Sequence, residues 1–298
     1  MKNNALIPFL ALITAMVLWA SSFVALKIAV QSYDPMVVIF GRMFVASIFF
    51  LLIVHQYKNT EWKLQDIKWM VLMVLCEPCL YFLFEIKAIE NTTASQAGMI
   101  TAILPLLVAI GARLLLKEYL HWLTVAGFIL SICGAIWLST GGSPTISAPN
   151  PPLGNFLEFV AMVCATGYTL ILKRLTAFYP PLLLTGLQAV AGSIFYLPLL
   201  FLSTTKLPDE WLPIPVLAIL YLGLFITMGA YGLYNFGVSR ISASKASAFV
   251  NLIPVFAVAM GWLILDERFT ISQCVASGCV LIGVLISQLN TRKKSSVA

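Results

Sequence analysis

Two acidic residues and a tyrosine recur at four-residue intervals in the third apolar stretch of this chain. Glu77, Tyr81 and Glu85 would share one helix face, because residues four apart lie one turn above each other. Glu77 would lie roughly 13 Å into its helix, near the middle of a bilayer. A carboxyl group at that depth costs about 2.5–3.5 kcal/mol to insert, which points to a function. We interpret Glu77 as a group that binds a cation or carries a proton, with a neutral, hydrogen-bonded carboxyl group as the alternative.

Arg42 and Glu85 are candidates for a structural ion pair. Arg42 lies shortly after the start of the second predicted span and Glu85 shortly before the end of the third, so both fall in the outer third of the membrane on neighbouring helices. A single charge in lipid is costly, so an arginine and a glutamate at matching depth are expected to pair. We favour this interpretation over direct substrate binding by either residue.

Three prolines interrupt apolar stretches where a helix would otherwise continue. Pro78 directly follows Glu77, and Pro105 and Pro254 occupy equivalent positions in two later stretches. Proline lacks a backbone N–H, so it frees a carbonyl oxygen one turn earlier. We predict helix breaks at these prolines, where freed carbonyls bind substrate or the breaks act as gating hinges. A kink that serves only packing is the alternative.

Aromatic and small polar side chains near the centres of the apolar stretches are candidates for a cavity wall. Aromatic walls with few polar groups suit amphipathic ligands, and aromatic faces attract cations. The alternative is that tryptophan and tyrosine form belts at the membrane interface, while serine permits close helix packing. The candidate cavity residues are Trp19, Ser22, Glu77, Tyr81, Gln96, Met99, Tyr168, Tyr231, Tyr234 and Asn251.

The composition requires most of the chain to lie in a membrane. Of the 298 residues, 60% are hydrophobic and only 10% are charged, and the mean hydropathy is +0.96. A soluble domain of this length needs more charge to cover its surface. We predict an all-α membrane protein with ten transmembrane helices, at roughly 5–29, 35–55, 68–89, 93–115, 121–139, 153–173, 180–202, 212–236, 241–264 and 271–289.

The sequence repeats itself at a nearly constant spacing. Residues 146 positions apart match early in the chain, as in Leu26-Lys27 and Leu172-Lys173. Residues 149 apart match later, as in Ala94-Ser95 and Ala243-Ser244. Duplication in so apolar a chain indicates two homologous helix bundles around a cavity. We predict a five-helix repeat at 1–140, a linker at 141–152, a second repeat at 153–290 and a basic tail at 291–298.

The basic residues predict the orientation in the membrane. If the N terminus is cytoplasmic, most of the 18 lysines and arginines fall in cytoplasmic segments, as the positive-inside rule requires. Each repeat has an odd number of helices, so the second repeat is inverted relative to the first. Inverted repeats surround a site near the bilayer midplane that opens to either side in turn. We therefore predict cytoplasmic termini, a periplasmic linker and alternating access.

Other features of the sequence argue against catalysis and metal binding. The six cysteines all fall in apolar stretches, and the Cys76/Cys79 pair has only His55 and His121 as histidine partners. Metal sites need clustered ligands, so we predict no metal and no cofactor. The sequence has no phosphate-binding glycine-rich loop and no Ser-His-Asp arrangement, so we predict neither ATP-driven transport nor enzyme activity. Topology explains the basic residues, and no nucleic-acid partner is expected.

Several motifs resemble one known family. Leu18-Trp19-Ala20-Ser21-Ser22-Phe23-Val24 with Lys27, followed by Gly41-Arg42-Met43, resembles the opening of the EamA-type family of the drug/metabolite transporter superfamily. Thr93-Ala94-Ser95-Gln96-Ala97 resembles the later part of that family's repeat unit. Ser242-Ala243-Ser244-Lys245-Ala246 resembles the same part in a second copy. The resemblance covers essentially the whole chain.

The resemblance implies a ten-helix carrier of the inner membrane. Members of the family commonly export amino acids, related metabolites or toxic amphiphiles. The resemblance also implies a cavity lined by the first, third, fourth, sixth, eighth and ninth helices. Glu77-Pro78 and Glu85 depart from the family's pattern, because they place acidic residues in a helix that often has none.

Together, these features predict a secondary transporter that exports a small amphipathic metabolite, an amino acid or a derivative. Proton exchange through Glu77 or facilitated diffusion would drive it. The alternative is an exporter of multiple drugs or organic cations, and a third hypothesis is a membrane-embedded enzyme or lipid scaffold. The expected partners are a small-molecule substrate and the lipid bilayer, and the expected state is a monomer or weak homodimer. We expect Glu158, Lys27 and Lys173 to lie at or reach the membrane interface.

Overall fold

The computed structural model describes residues 6–116, 122–140, 144–241 and 243–288. Within these ranges the regular structure is helical, apart from one isolated β-bridge between Thr145 and Ala148. Apolar stretches form helices in lipid because a helix satisfies each backbone N–H and C=O internally. The predicted all-α class is confirmed.

The described α-helices follow one another along the chain with short connections. They are α1 (Leu6–Val30), α2 (Pro35–Ile53), α3 (Leu64–Val74), α4 (Tyr81–Asn91), α5 (Ala94–Ile100), α6 (Leu104–Leu116), α7 (Trp122–Thr140), α8 (Pro151–Leu175), α9 (Pro181–Tyr196), α10 (Pro213–Tyr221), α11 (Tyr231–Arg240), α12 (Ala243–Ser247), α13 (Ile253–Leu265) and α14 (Ile271–Gln288).

Short π and 3-10 segments join several of these helices end to end. The π segment Leu75–Leu80 joins α3 to α4, and Leu222–Ala230 joins α10 to α11. The 3-10 segment Thr101–Ile103 joins α5 to α6, and Ala248–Leu252 joins α12 to α13. The interruptions therefore occur in matching places in the two halves of the chain.

Eight of the described helical stretches are long and apolar enough to cross a membrane, so the chain is a multi-pass membrane protein. Two shorter apolar stretches, Val125–Leu138 and Ile271–Gly283, lie in α7 and α14, where spans were predicted at 121–139 and 271–289. The eight long stretches are Leu6–Val30, Pro35–Tyr57, Leu64–Asn91, Ala94–Gly111, Pro151–Leu175, Pro181–Phe201, Pro213–Arg240 and Ala248–Leu265.

The third and eighth predicted spans are interrupted by the two π segments. In the third span, Glu77 has φ −152° and ψ 116°. The break follows from Pro78, which has no N–H and whose ring crowds the preceding turn. The break at Leu222–Ala230 contains no proline, and the sequence did not predict it. There the Thr227 hydroxyl donates to the carbonyl oxygen five residues back, at 3.0 Å, which stabilises the wider turn.

Contacts at the ends of the helices recur at the spacing of the sequence repeat. The Tyr33 ring lies 5.6 Å from the Trp211 ring, and the equivalent Tyr179 ring lies 5.7 Å from the Trp62 ring. Each tyrosine hydroxyl also accepts a hydrogen bond from the backbone N–H that follows its tryptophan. The duplication of the sequence therefore extends to its tertiary contacts.

Lys27 and Lys173 are a second equivalent pair, and each binds the end of a helix. Lys27 is only 4% exposed, and its Nζ donates to the carbonyl oxygens of Ile89 at 2.6 Å, Thr92 at 2.7 Å and Ser147. Lys173 Nζ donates to two carbonyls at the end of α11, at 2.8 and 2.9 Å. A cation satisfies the free carbonyls and the dipole at a helix C terminus. Lys27 is thus held inside the protein instead of extending to an interface.

Candidate functional site

A small cavity lies between the two halves of the chain, beside the breaks in the third and eighth spans. The cavity volume is about 40 Å³, which is room for a few water molecules. Arg42 and Glu85 contribute to its wall. The predicted cavity residues that line it are Trp19, Ser22, Glu77, Tyr81, Tyr168, Tyr231 and Tyr234.

Glu77 is the most unusual group in the cavity wall. Its side chain is 3% exposed, its Oε1 accepts a hydrogen bond from the Tyr231 hydroxyl, and its Oε2 has no partner among the described residues. The break before Pro78 lifts Glu77 out of the helical ladder and turns its carboxyl group towards the second half of the chain. A buried carboxyl oxygen without a partner is a binding group for a proton or a donor.

Side chains of the second half donate hydrogen bonds to backbone carbonyls at the break and just after it. Gln188 Nε2 donates to the carbonyl oxygen of Glu77 at 2.9 Å. The Tyr196 hydroxyl donates to the carbonyl oxygens of Pro78, at 3.0 Å, and Cys79. These carbonyls are already satisfied, so they do not serve as substrate ligands in this structure.

Pro105 and Pro254 occupy equivalent places after the 3-10 segments. Each is the second residue of its helix, α6 or α13. A proline fits the first turn of a helix, where its missing N–H is not needed. The break therefore lies before each proline, and neither proline lines the cavity, although the neighbouring Leu104 and Ile253 do.

The structure brings Arg42 and Glu85 together inside the protein. Arg42 Nη1 lies 3.6 Å from Glu85 Oε2, and both side chains are almost fully buried. The Tyr81 hydroxyl donates to Glu85 Oε1 at 2.8 Å, and Arg42 Nε donates to Thr227 Oγ1 at 3.2 Å. The guanidinium carbon lies 4.2 Å from the centre of the Phe82 ring. The two charges therefore compensate each other, as buried charges must.

Aromatic rings form one wall of the cavity. The Trp19 ring lies 5.0 Å from Tyr231 and 4.8 Å from Tyr234, and Tyr168 lies 6.3 Å from Tyr231. The Tyr168 hydroxyl donates to Asn235 Oδ1. Rings at such distances pack edge-to-face or tilted and leave an apolar surface with polar tips. This wall suits the apolar body of a ligand.

Comparison with known proteins identifies the family. The sequence model of the EamA-like transporter family matches residues 6–140 and again residues 152–289. The chain belongs to the EamA-like transporter family. The predicted resemblance is confirmed, and the protein is a membrane transporter of this family within the drug/metabolite transporter superfamily.

Relatives of this EamA-family transporter match it over most of their length. YetK of Bacillus subtilis, described as an uncharacterized transporter, is 25% identical over 293 residues, which are 96% of this chain and 88% of YetK. A transporter named for S-adenosylmethionine and S-adenosylhomocysteine, from Chlamydia muridarum, is 26% identical over 92% of this chain and 89% of its own. A solved crystal structure has a TM-score of 0.66, with 18% identity over 96% of this chain and 98% of the other, and shows the shared fold.

Three predicted cavity residues of this EamA-family transporter lie elsewhere. Gln96 Oε1 accepts from Asn155 Nδ2 at 2.8 Å, away from the cavity. Met99 packs in a separate apolar cluster, and Asn251 is not part of the cavity wall. Gln96 and Met99 lie in α5, where Gln96 bonds to α8 and Met99 packs against α7 and α14. Asn251 lies in the 3-10 segment Ala248–Leu252, which turns more tightly than an α-helix and changes the face that a residue occupies. Thr101, Leu104, Val250 and Ile253 line the cavity in their place.

Glu158 differs from its predicted interfacial position. Its side chain is 0% exposed, and neither carboxyl oxygen has a hydrogen-bond partner among the described residues. The α8 helix begins at Pro151, which puts Glu158 roughly 10 Å along the helix.

In the part of the chain that the structure describes, no group of three His, Cys, Asp or Glu side chains is placed as metal ligands would be.

The sequence prediction missed the residues that hold the breaks. Gln188, Tyr196 and Thr227 each bond to a break or to Arg42 beside it. A signal for Gln188 was present, because it stands 146 residues after Arg42, at the spacing of the repeat. Comparing each charged residue of the first half with its counterpart would have found it.

Proposed function

We propose that this transporter is a secondary carrier of ten transmembrane helices, built from two inverted five-helix repeats. The eight candidate spans together with α7 and α14 provide the ten helices. It exports a small amphipathic metabolite, an amino acid or a derivative, by alternating access and not by catalysis. It acts in the inner membrane with both termini cytoplasmic, since this orientation places most basic residues in the cytoplasm.

The contacts of equivalent residues support the inverted arrangement. If each span crosses the membrane, Tyr33 after the first span and Trp62 before the third lie at opposite ends of the first repeat. Tyr179 is the counterpart of Tyr33, and it contacts Trp62. Equivalent residues therefore occupy opposite faces, as a two-fold axis in the membrane plane requires. The 2.8 Å hydrogen bond between equivalent residues Ser47 and Ser193 fits a position on that axis.

An arrangement of this kind supports alternating access. The cavity has room for only a few water molecules, and helix ends on either side are held by Lys27 and Lys173. Exchange of the conformations of two equivalent repeats opens such a cavity first to one face and then to the other. The cavity enlarges to admit substrate when one set of end contacts opens.

The proposed chemistry rests on the surroundings of the Glu77 carboxyl group. Its carboxyl group is buried at the interface of the two repeats, and Oε2 has no partner among the described residues. A single carboxyl group that binds either a proton or the ammonium group of a substrate, and not both, couples the two fluxes in opposite directions. The Chlamydia relative, named for an amino-acid-derived metabolite, supports this class of substrate.

Transport by the Glu77→Gln variant in proteoliposomes tests the proposal. A panel of leucine, methionine, S-adenosylmethionine and leucinamide is loaded, and efflux is followed with and without a pH gradient. We expect efflux of at least one solute by the wild type, driven by the gradient, and loss of that dependence in Glu77→Gln. Glu210→Gln, at an exposed position, serves as the matched control. Unchanged rate and pH dependence in Glu77→Gln would remove the proton role, and activity without a sealed vesicle would contradict transport.

The aromatic wall favours a second candidate, an exporter of organic cations. Trp19, Tyr231 and Tyr234 lie beside the Glu77 carboxyl group, and aromatic faces attract cations. Competition between tetraphenylphosphonium and the metabolite panel separates the two candidates. Tight binding of the phosphonium with no binding of the metabolites favours the second.

A further inference from the structure

Two polar groups on the cavity wall lack a hydrogen-bond partner among the described residues. One is the acceptor Glu77 Oε2, and the other is the donor Trp19 Nε1. Buried polar groups are nearly always satisfied, because leaving them unpaired costs free energy. One free acceptor and one free donor on the same wall match a ligand that provides one donor and one acceptor.

The charges on the wall restrict the ligand further. Arg42 is the one cation among the described lining residues, and it is already engaged by Glu85, Thr227 and the Phe82 ring. Lys27 is bound to three carbonyls outside the cavity. A carboxylate on the ligand would therefore find no unpaired cation, whereas the Glu77 carboxyl group favours a cation once its own proton has left.

We infer that the cavity selects small amines that carry an uncharged oxygen acceptor and no free carboxylate. An ammonium N–H donates to Glu77 Oε2, and an amide, ester or hydroxyl oxygen accepts from Trp19 Nε1. The rings of Tyr231 and Tyr234 contact the apolar body of the ligand. The inference rests on the proposed function and narrows its substrate to amino-acid derivatives with a masked carboxyl group.

Calorimetric binding to the purified full chain in detergent tests each element of the ligand. The probes are leucinamide, leucine, N-trimethyl leucinamide, 4-methylpentanamide and isoamylamine. Leucinamide is expected to bind at least about tenfold more tightly than each of the others, since each lacks one hydrogen bond or adds an unpaired charge. Equal or tighter binding of leucine overturns the exclusion of carboxylates, and equal binding of the trimethyl probe overturns the N–H contact.

Two variants assign the contacts to residues. Trp19→Phe keeps a ring and removes the N–H, so it is expected to weaken leucinamide about tenfold and to leave isoamylamine unchanged. Glu77→Gln is expected to weaken both amines by at least that factor. The exposed positions Trp262→Phe and Glu210→Gln are matched controls. Equal weakening of both amines by Trp19→Phe overturns the proposed acceptor contact.

The failure of this inference differs from the failure of the proposed function. If leucine or methionine is transported in proteoliposomes at least as well as leucinamide, the inference is wrong and the transporter function stands. If leucinamide binds with the predicted pattern but is not moved across sealed vesicles, the binding site stands and the transport proposal is wrong. If no amine binds at micromolar to millimolar concentration, the inference is wrong.

Discussion

At the residue scale, the Arg42 guanidinium has three partners of different kinds. It lies near the Glu85 carboxylate at 3.6 Å, donates to the Thr227 hydroxyl at 3.2 Å and covers the Phe82 ring. Each partner replaces part of the water that the charge lost on burial. Removal of the arginine would leave Glu85 with only the Tyr81 hydroxyl.

The first prediction concerns this pair. Arg42→Met is expected to destabilise the protein by about 3–5 kcal/mol, because it leaves one buried charge unpaired. The double variant Arg42→Met/Glu85→Met is expected to recover part of that loss, since neither charge remains. Unfolding in detergent micelles measures the free energies of the single variants Arg42→Met and Glu85→Met and of the double variant. If the double variant loses the sum of the two single losses, the residues are not coupled.

A second prediction concerns the hydroxyl that orients Glu77. Tyr231→Phe keeps the ring that packs on Trp19 but removes the donor to Glu77 Oε1. Both carboxyl oxygens then lack a fixed partner, so substrate affinity is expected to fall about tenfold while the unfolding temperature changes little. Tyr57→Phe, at a tyrosine that does not line the cavity, is the control. If the unfolding temperature of Tyr231→Phe falls markedly, and the loss of affinity only follows that loss of stability, the hydroxyl serves stability alone.

At the scale of elements, the two halves hold each other's helix breaks. Arg42, on the second helix of the first half, donates to Thr227 in the π segment of the second half. Gln188, its equivalent on α9, donates to the carbonyl oxygen of Glu77 in the π segment of the first half. A break in a buried helix leaves polar groups that must be paired from outside that helix. The reciprocal contacts make each break dependent on the other half.

The third prediction follows from these contacts. Gln188→Leu keeps most of the side-chain volume but leaves the Glu77 carbonyl oxygen without its donor, which is expected to cost about 1–3 kcal/mol of stability. The affinity for leucinamide should fall as well, because a shift of the Glu77 backbone also moves the Glu77 carboxyl group. Gln56→Leu, at an exposed position, is the matched control. If the two variants unfold at the same temperature, the contact does not hold the break.

At the scale of the whole molecule, the two halves share the contacts that hold their helix ends together, here called the frame. They differ in the side chains that line the cavity. The frame is shared, as the two tyrosine–tryptophan pairs and the two lysines at helix ends illustrate. The side chains at the cavity differ, because Arg42 and Glu77 correspond to Gln188 and Ile226. In the proposed mechanism, the shared frame allows two related conformations, while the differing side chains form one binding site.

The fourth prediction tests the inversion of the repeats directly. Lys58 and Thr204 are equivalent, exposed positions in the connections after the second helix of each repeat. Inverted repeats place them on opposite faces, so an impermeant maleimide should label Thr204→Cys in intact cells and Lys58→Cys only after permeabilisation. The wild-type chain, whose cysteines lie in apolar stretches, gives the background. Labelling of both positions from the same face would show parallel repeats.

The part of the site that could be predicted depended on regular helix geometry. The four-residue spacing of Tyr81 and Glu85 put them on one face, and both line the cavity with Glu77. The prediction was wrong where tertiary packing decides which helix face points to the cavity, as at Gln96 and Met99 in α5, which contact α8 and the α7–α14 pair instead. No local pattern of residues marks the inward face of such a helix, because packing against other helices decides it.

The sequence by itself determined that this chain is a helical membrane protein with an internal duplication and an acidic residue deep in its third span. Those features are encoded locally, in the length of apolar stretches and in residues that recur at a fixed spacing. Only the tertiary structure decided which polar atoms are satisfied. Whether Glu77 Oε2 stays free while its carbonyl oxygen is bound by Gln188 depends on side chains more than a hundred residues away, and folding alone brings those groups into contact.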